Sequence, residues 1–186
     1  MISRDEFKKT VQEKGLFETV KSYFVLGLEK NLEGLISNKE IAKVGRIAHL
    51  KSSNLESDES SIVTWAEKRL YEIDNYNDIF SVLLSLDVDG RIFPWQIVFK
   101  RSLQLSSNLE EFTYVAMRAT SHDMVLVRSY FEEKNVSFLS DSDNLEELEA
   151  LKRFADNLVR EFPLFQFEEN RYEAGINEKI AELKND

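Results

Sequence analysis

Cysteine is absent from the 186 residues, which removes disulfide scaffolds, thiolate zinc clusters and cysteine nucleophiles from consideration and fits a reducing compartment. Histidine is nearly as scarce. His49 and His122 are the whole imidazole supply, so a multi-histidine metal centre would need both, together with several carboxylates. The six glycines, Gly15, Gly27, Gly34, Gly45, Gly90 and Gly175, stand isolated, and neither a phosphate loop nor a dinucleotide fingerprint can be written from them. No Gly-x-Ser-x-Gly elbow occurs, so that hydrolase signature is missing too. Apolar runs such as Tyr23 to Leu28 fall far short of the roughly 20 residues of a membrane helix. Residues 1–9 alternate charged and apolar types and lack the apolar core of a secretory signal. The expectation is a soluble, cytoplasmic chain with no membrane association, cofactor or metal.

What is present is enough to fold. Hydrophobic residues make up 42% of the chain and include 13 Phe, too apolar and aromatic a composition for disorder. The length suits one domain over residues 1–186. The formal charge is −10, and residues 132–186 hold 15 Asp and Glu against 7 Lys and Arg, a balance of −8. So acidic a surface disfavours nucleic acid and finds its natural complement in a basic protein. A solvated face that maintains solubility is the plainer explanation of the same charge.

Helix starts are written clearly, because Ser or Asn followed three residues later by Glu recurs at element boundaries. In this capping box each of the two side chains satisfies an orphaned backbone N–H. Ser3 with Glu6 opens the first helix, with Ile2 and Phe7 as its hydrophobic staple, and Gly15 closes it. A second helix from Leu16 carries Val20, Phe24, Leu28 and Leu32 at spacing four. Ser37 with Glu40 opens a third over Ile41, Val44, Ile47 and Ala48 and ends near Ser52. Residues 52–61 are Ser-rich and acidic and read as an exposed loop, the best linker in the chain. A fourth helix carries Ile62, Trp65, Ala66, Leu70 and Ile73, and Asp74 to Asp78 breaks it.

Further on the period changes. Asp89-Gly90 is a hairpin signal, and pairing about it puts Val82, Leu84, Leu86, Val88, Phe93, Trp95, Ile97 and Phe99 on one face. Leu83, Ile92 and Val98 are exceptions to the alternation, and Pro94 suits an edge strand. The fold class expected is therefore α+β, predominantly helical, with about seven or eight helices packed on a β-hairpin within residues 79–105. Ser107 with Glu110 opens another helix, although Phe112 to Ala119 also reads as a strand and residues 108–131 stay ambiguous. A helix from His122 to Lys134 buries Met124, Val127 and Phe131. The acidic loop Ser140 to Asp143 leads into the clearest helix, Asn144 to Phe162, with Leu145, Leu148, Leu151, Ala155, Leu158 and Phe162 facing inward. Leu164 to Phe167 is an optional further short strand, and Asn170 with Glu173 caps a last helix bearing Tyr172, Ile176, Ile180 and Leu183.

Motifs that could carry chemistry are thin. Ser85 to Gln96 can be laid over a calcium loop, but Ser85 and Gln96 stand where that loop needs its strongest carboxylates. Arg46-x-x-His49 and Arg118-x-x-x-His122 resemble the Arg and His pair of HEPN ribonucleases at shorter spacings, and no role is transferred. Adjacent carboxylates such as Glu110/Glu111, Glu132/Glu133 and Glu146/Glu147 point about 100° apart on a helix and read as solvated charge. Trp65, Trp95, Phe162, Phe165 and Phe167 could line a cavity, but aromatics at such spacing are more often core. The reading is a non-enzymatic protein-interaction protein (inhibitor, immunity factor, adaptor or chaperone) meeting a basic protein through Asp141, Asp143, Glu146, Glu147 and Glu149. The alternative is an enzyme or small-ligand binder whose site is assembled from scattered Asp, Glu, Tyr and Arg residues.

Overall fold

The computed structural model describes residues 3–52, 57–86, 92–119, 123–141, 144–161 and 169–185. Among them the chain forms ten α-helices and one 3-10 turn, with no strand. It divides into two compact units, Met1–Leu105 with Thr120–Asp123, and Ser106–Ala119 with Met124–Asp186. The expectation of a single domain over 1–186 stands beside that division. No described helix is long and apolar enough to cross a membrane.

The first unit begins with α1 (Arg4–Lys14) and α2 (Leu16–Val25), followed by the 3-10 turn Glu29–Leu32, α3 (Asn38–Lys51), α4 (Asp58–Tyr71), α5 (Tyr76–Ser85) and α6 (Trp95–Leu105). Both expected capping boxes form. The Ser3 N–H donates to Glu6 at 2.8 Å and the Glu6 N–H to Ser3 Oγ at 3.2 Å, and Ser37 pairs with Glu40 in the same way. The bond from the Ser3 backbone, with one from its hydroxyl, holds the Glu6 carboxyl below its ordinary range. Gly15 then ends α1 at φ +84°, a left-handed position that favours glycine. The α2 stripe differs from the spacing-four expectation. The helix stops at Val25 and buries Phe17, Val20 and Tyr23, whereas Leu28 lies exposed beyond it.

Helices α3 and α4 meet closely along Ile41, Val44 and Ala48 on one side and Ile62, Ala66 and Leu70 on the other, all buried. Gly45 makes the approach possible, because a β-carbon there would lie 2.6 Å from the Phe93 ring and 2.7 Å from the Ala66 methyl. Ser57 caps α4 by accepting the Ser60 N–H at 3.2 Å. The expected loop over 52–61 is thus helical from Asp58, and residues 53–56 lie outside the described residues.

The β-hairpin is overturned. Residues 76–85 and 95–105 are α5 and α6, two helices packed on each other, so the fold is helical throughout its described residues and not α+β. Asn75, read as part of a breaker, is the N-cap of α5 and accepts the Asp78 N–H at 3.2 Å. The apolar residues of α5 also alternate loosely, but the three that are buried, Ile79, Val82 and Leu83, follow i, i+3, i+4. Leu83 and Val98, the exceptions in a strand reading, are fully buried, whereas Leu84, placed in the core by that reading, is 51% exposed. Pro94 immediately precedes α6, where a missing N–H leaves no intrahelical bond unmade. The turn Asp89-Gly90 lies outside the described residues. Trp95 is buried at the start of α6, donating its indole N–H to buried Asp123 at 3.2 Å and stacking on Phe99; it is core.

In the second unit, α7 (Leu109–Ala116), α8 (Met124–Asp141), α9 (Leu145–Glu161) and α10 (Glu169–Asn185) follow. Residues 109–116 are helical, which settles the helix-or-strand alternative there for helix. The cap falls one residue later than expected, on Asn108, whose side chain accepts the Glu111 N–H at 2.9 Å. Helix α8 runs to Asp141, past the expected end at Lys134 and into the expected acidic loop. An aromatic core joins three helices, with the Phe112 ring centroid 5.9 Å from Phe131, 5.7 Å from Phe138 and 5.8 Å from Phe154. Leu148 and Leu151 of α9 and Ile176 of α10 are fully buried, and α9 packs against α10. The optional strand at 164–167 and the aromatic set Phe162, Phe165, Phe167 lie outside the described residues.

Candidate functional site

The five carboxylates singled out by charge do not share one environment. Asp141 ends α8 and Asp143 lies outside the described residues. Glu146 and Glu147 occupy the exposed first turn of α9, where the helix dipole favours negative charge. Asn144 opens that turn, its side-chain oxygen accepting the Glu146 N–H at 2.8 Å. Neither Glu146 nor Glu147 has an ion pair among the described residues. Glu149 differs: its carboxylate lies 3.8 Å from Arg153 and 4.0 Å from Lys184, so it links α9 to α10.

Glu147 also lines a cleft of about 780 Å³ between α7 and α9. The α7 wall presents Glu110, Thr113 and Tyr114, and the α9 wall presents Glu147, Ala150, Arg153 and Asn157, with Phe138 and Phe154 beneath them. Phe138 is buried and Phe154 half-buried. Tyr114 is 52% exposed and donates its hydroxyl to Glu110 at 3.1 Å, and that bond raises its phenol above the ordinary range. Ala150, small and midway along the α9 wall, leaves the room that a larger side chain would fill. In the same unit Lys134 donates to the Ser106 carbonyl, and burial lowers its ammonium below the usual lysine range.

Of the cleft residues only Glu147 is among the five carboxylates singled out by charge, and Glu110 reads in the sequence as solvated charge. A signal existed nonetheless. Glu147, Ala150, Phe154 and Asn157 recur at helical spacing beside the apolar stripe of α9, and Glu110, Thr113 and Tyr114 do so on α7.

The first unit has a smaller cleft of about 370 Å³, with Ile36, Ile41, Trp65 and Ile73 among its apolar lining and Glu33, Arg69, Glu72, Asp74 and Asp78 among its charged lining. Arg69 bridges Glu33 at 3.1 Å and Glu72 at 3.0 Å. Trp65 thus stands at a cleft, whereas Trp95 is fully buried.

The remaining sequence candidates scatter. His49 is exposed and stacks on Phe93 at 5.8 Å, and His122 lies outside the described residues. Ser85 donates its hydroxyl to the Val82 carbonyl at 2.6 Å and Gln96 is exposed on α6. Among the described residues no group of three or more His, Asp or Glu could hold a metal ion. No family model, curated protein or solved structure matches the chain.

Proposed function

We propose that this chain is a cytoplasmic, non-enzymatic protein-interaction protein, of the inhibitor, immunity-factor, adaptor or chaperone kind, that docks a basic protein on its second unit. The observation that carries the reading is the pair Glu146 and Glu147, exposed and outside any ion pair among the described residues, with Glu147 on the wall of an open cleft. Charge without an internal partner is free to act on an approaching surface, and complementary potentials raise association rates more than they deepen affinity. The test is capture on the full chain and on Glu146→Gln/Glu147→Gln from one extract at low and moderate salt. Proteins held by the parent at low salt and lost both from the variant and at moderate salt support the reading. A purely structural role at the α9 terminus predicts a less stable α9 and unchanged capture.

A second reading, small-ligand binding, draws on the first unit's cleft, where four carboxylates and one guanidinium converge beside Trp65. An organic cation suits that lining, since an indole face and carboxylates both attract it. Saturable amide shifts at Trp65 and Asp78 on adding simple alkylammonium and guanidinium compounds are expected on this reading, and their absence contradicts it.

A further inference from the structure

We infer that the cleft between α7 and α9 seats a short basic segment of another protein through one large apolar side chain that enters over Phe138 and Phe154. The inference rests on the interaction reading above and adds where the partner lies and what it presents.

From Glu147 to Asn157 the α9 wall advances ten residues, about 15 Å at 1.5 Å per residue. An extended segment rises about 3.3 Å per residue, so four or five residues span the wall. The floor is aromatic, part of the cluster that ties Phe112, Phe131, Phe138 and Phe154 together. Such a floor is held in place by its own packing, and little ordering is left to be done on binding. The volume of about 780 Å³ accommodates a buried anchor together with backbone on either side.

Charge selects the segment. Glu110 on one wall and Glu147 on the other face the cleft, and Glu146 stands beside Glu147. Arg153, the cation of the lining, lies 3.8 Å from Glu149, and the two wall carboxylates outnumber it. Glu110 accepts the Tyr114 hydroxyl on the same wall at 3.1 Å. An acidic segment would meet like charge on both walls, whereas Lys or Arg on either side of an apolar residue would meet a carboxylate on each. A buried anchor ringed by polar contacts is the arrangement in which a few residues dominate binding.

The test selects a displayed random-peptide library on the full chain at low salt, then measures synthetic versions of the selected peptides by fluorescence polarisation. The expected peptides carry Lys or Arg around one Leu, Phe or Trp. Their affinity falls by about tenfold or more on Ala150→Trp, which fills the cleft, on Glu110→Gln/Glu147→Gln, and on replacing the peptide's apolar residue with Ala. Because Ala150→Trp could disturb α9, amide shifts of the unaltered protein provide the parallel readout, and they are expected to cluster at Thr113, Tyr114, Ala150 and Asn157. Basic peptides that bind Ala150→Trp normally and shift only the amides around Glu146 overturn the cleft and leave the acidic-surface reading standing. Selected peptides without basic character, or binding indifferent to salt, overturn both. Failure to select any peptide overturns the cleft inference.

Discussion

Replacing Gly45 with alanine places a methyl group where α3 and α4 meet, 2.6 Å from the Phe93 ring and 2.7 Å from the Ala66 β-carbon. Carbon atoms pack best at about 3.5–4.0 Å, so both contacts are close to 1 Å too short. The Phe93 ring can turn aside. The Ala66 methyl is fixed to the backbone of α4, so the two helices must part. Overpacking of this kind costs about 1–3 kcal/mol, and alanine's better helix propensity returns about 1 kcal/mol. A net loss of up to about 2 kcal/mol is expected, read as a lower urea midpoint at unchanged slope. The mechanism also predicts its own rescue. Ala66→Gly is destabilising alone, but the double variant should retain about 1 kcal/mol or more above the sum of the two single losses. A Gly45→Ala protein at least as stable as the parent, with additive behaviour in the double variant, refutes the close approach of α3 and α4.

Helical α5 makes a matched pair of predictions: Leu83→Ala should cost about 2–5 kcal/mol and Leu84→Ala about 0.5 kcal/mol or less, since Leu83 is fully buried and Leu84 is 51% exposed; a hairpin reverses the order. Asp123→Ala strips the buried Trp95 indole of its acceptor and should cost about 1–3 kcal/mol in chemical unfolding, whereas a neutral result means that the bond contributes nothing. Lys21 holds the Glu59 carboxyl below its ordinary 4.5 through a 2.6 Å bond. The unfolded chain therefore takes up that proton first, so the contribution is complete above about pH 4.5 and is lost as pH falls through the lower folded value. The stability gap between the parent and Glu59→Gln should accordingly narrow on acidification, and a gap constant with pH contradicts the pairing.

Elements whose boundaries are made by short polar side chains were legible in the sequence, because a capping box needs only residues three apart. Ser3 and Ser37 cap where expected, and α9 begins one residue after the expected start at Asn144, whereas Asn170, read as the cap of the last helix, lies inside α10. The α5 and α6 region was misread because its apolar residues are dense enough to satisfy two periods at once. Asp89-Gly90 then tipped the choice to a hairpin, although Leu83 and Val98 already marked the helical faces. The cap at Asn75 was the overlooked signal, since Asn serves turns and helix starts equally well. At the site, Glu147 was chosen for its charge, but the cleft could not be, because it needs α7 and α9 brought side by side over Phe112 and Phe154. Sequence spacing orders residues along each helix and says nothing of which helix faces which.

The central claim, that carboxylates on the second unit act on a basic partner, is tested most directly by stopped-flow association of a selected basic peptide as salt shortens the Debye length from about 10 Å at 0.1 M to about 3 Å at 1 M. The account predicts that association to the parent slows steeply with salt. Glu146→Gln/Glu147→Gln should begin slower and respond more weakly, with dissociation little changed. Equal association rates for parent and variant at every salt concentration would contradict it, leaving those carboxylates as solvated charge at the start of α9.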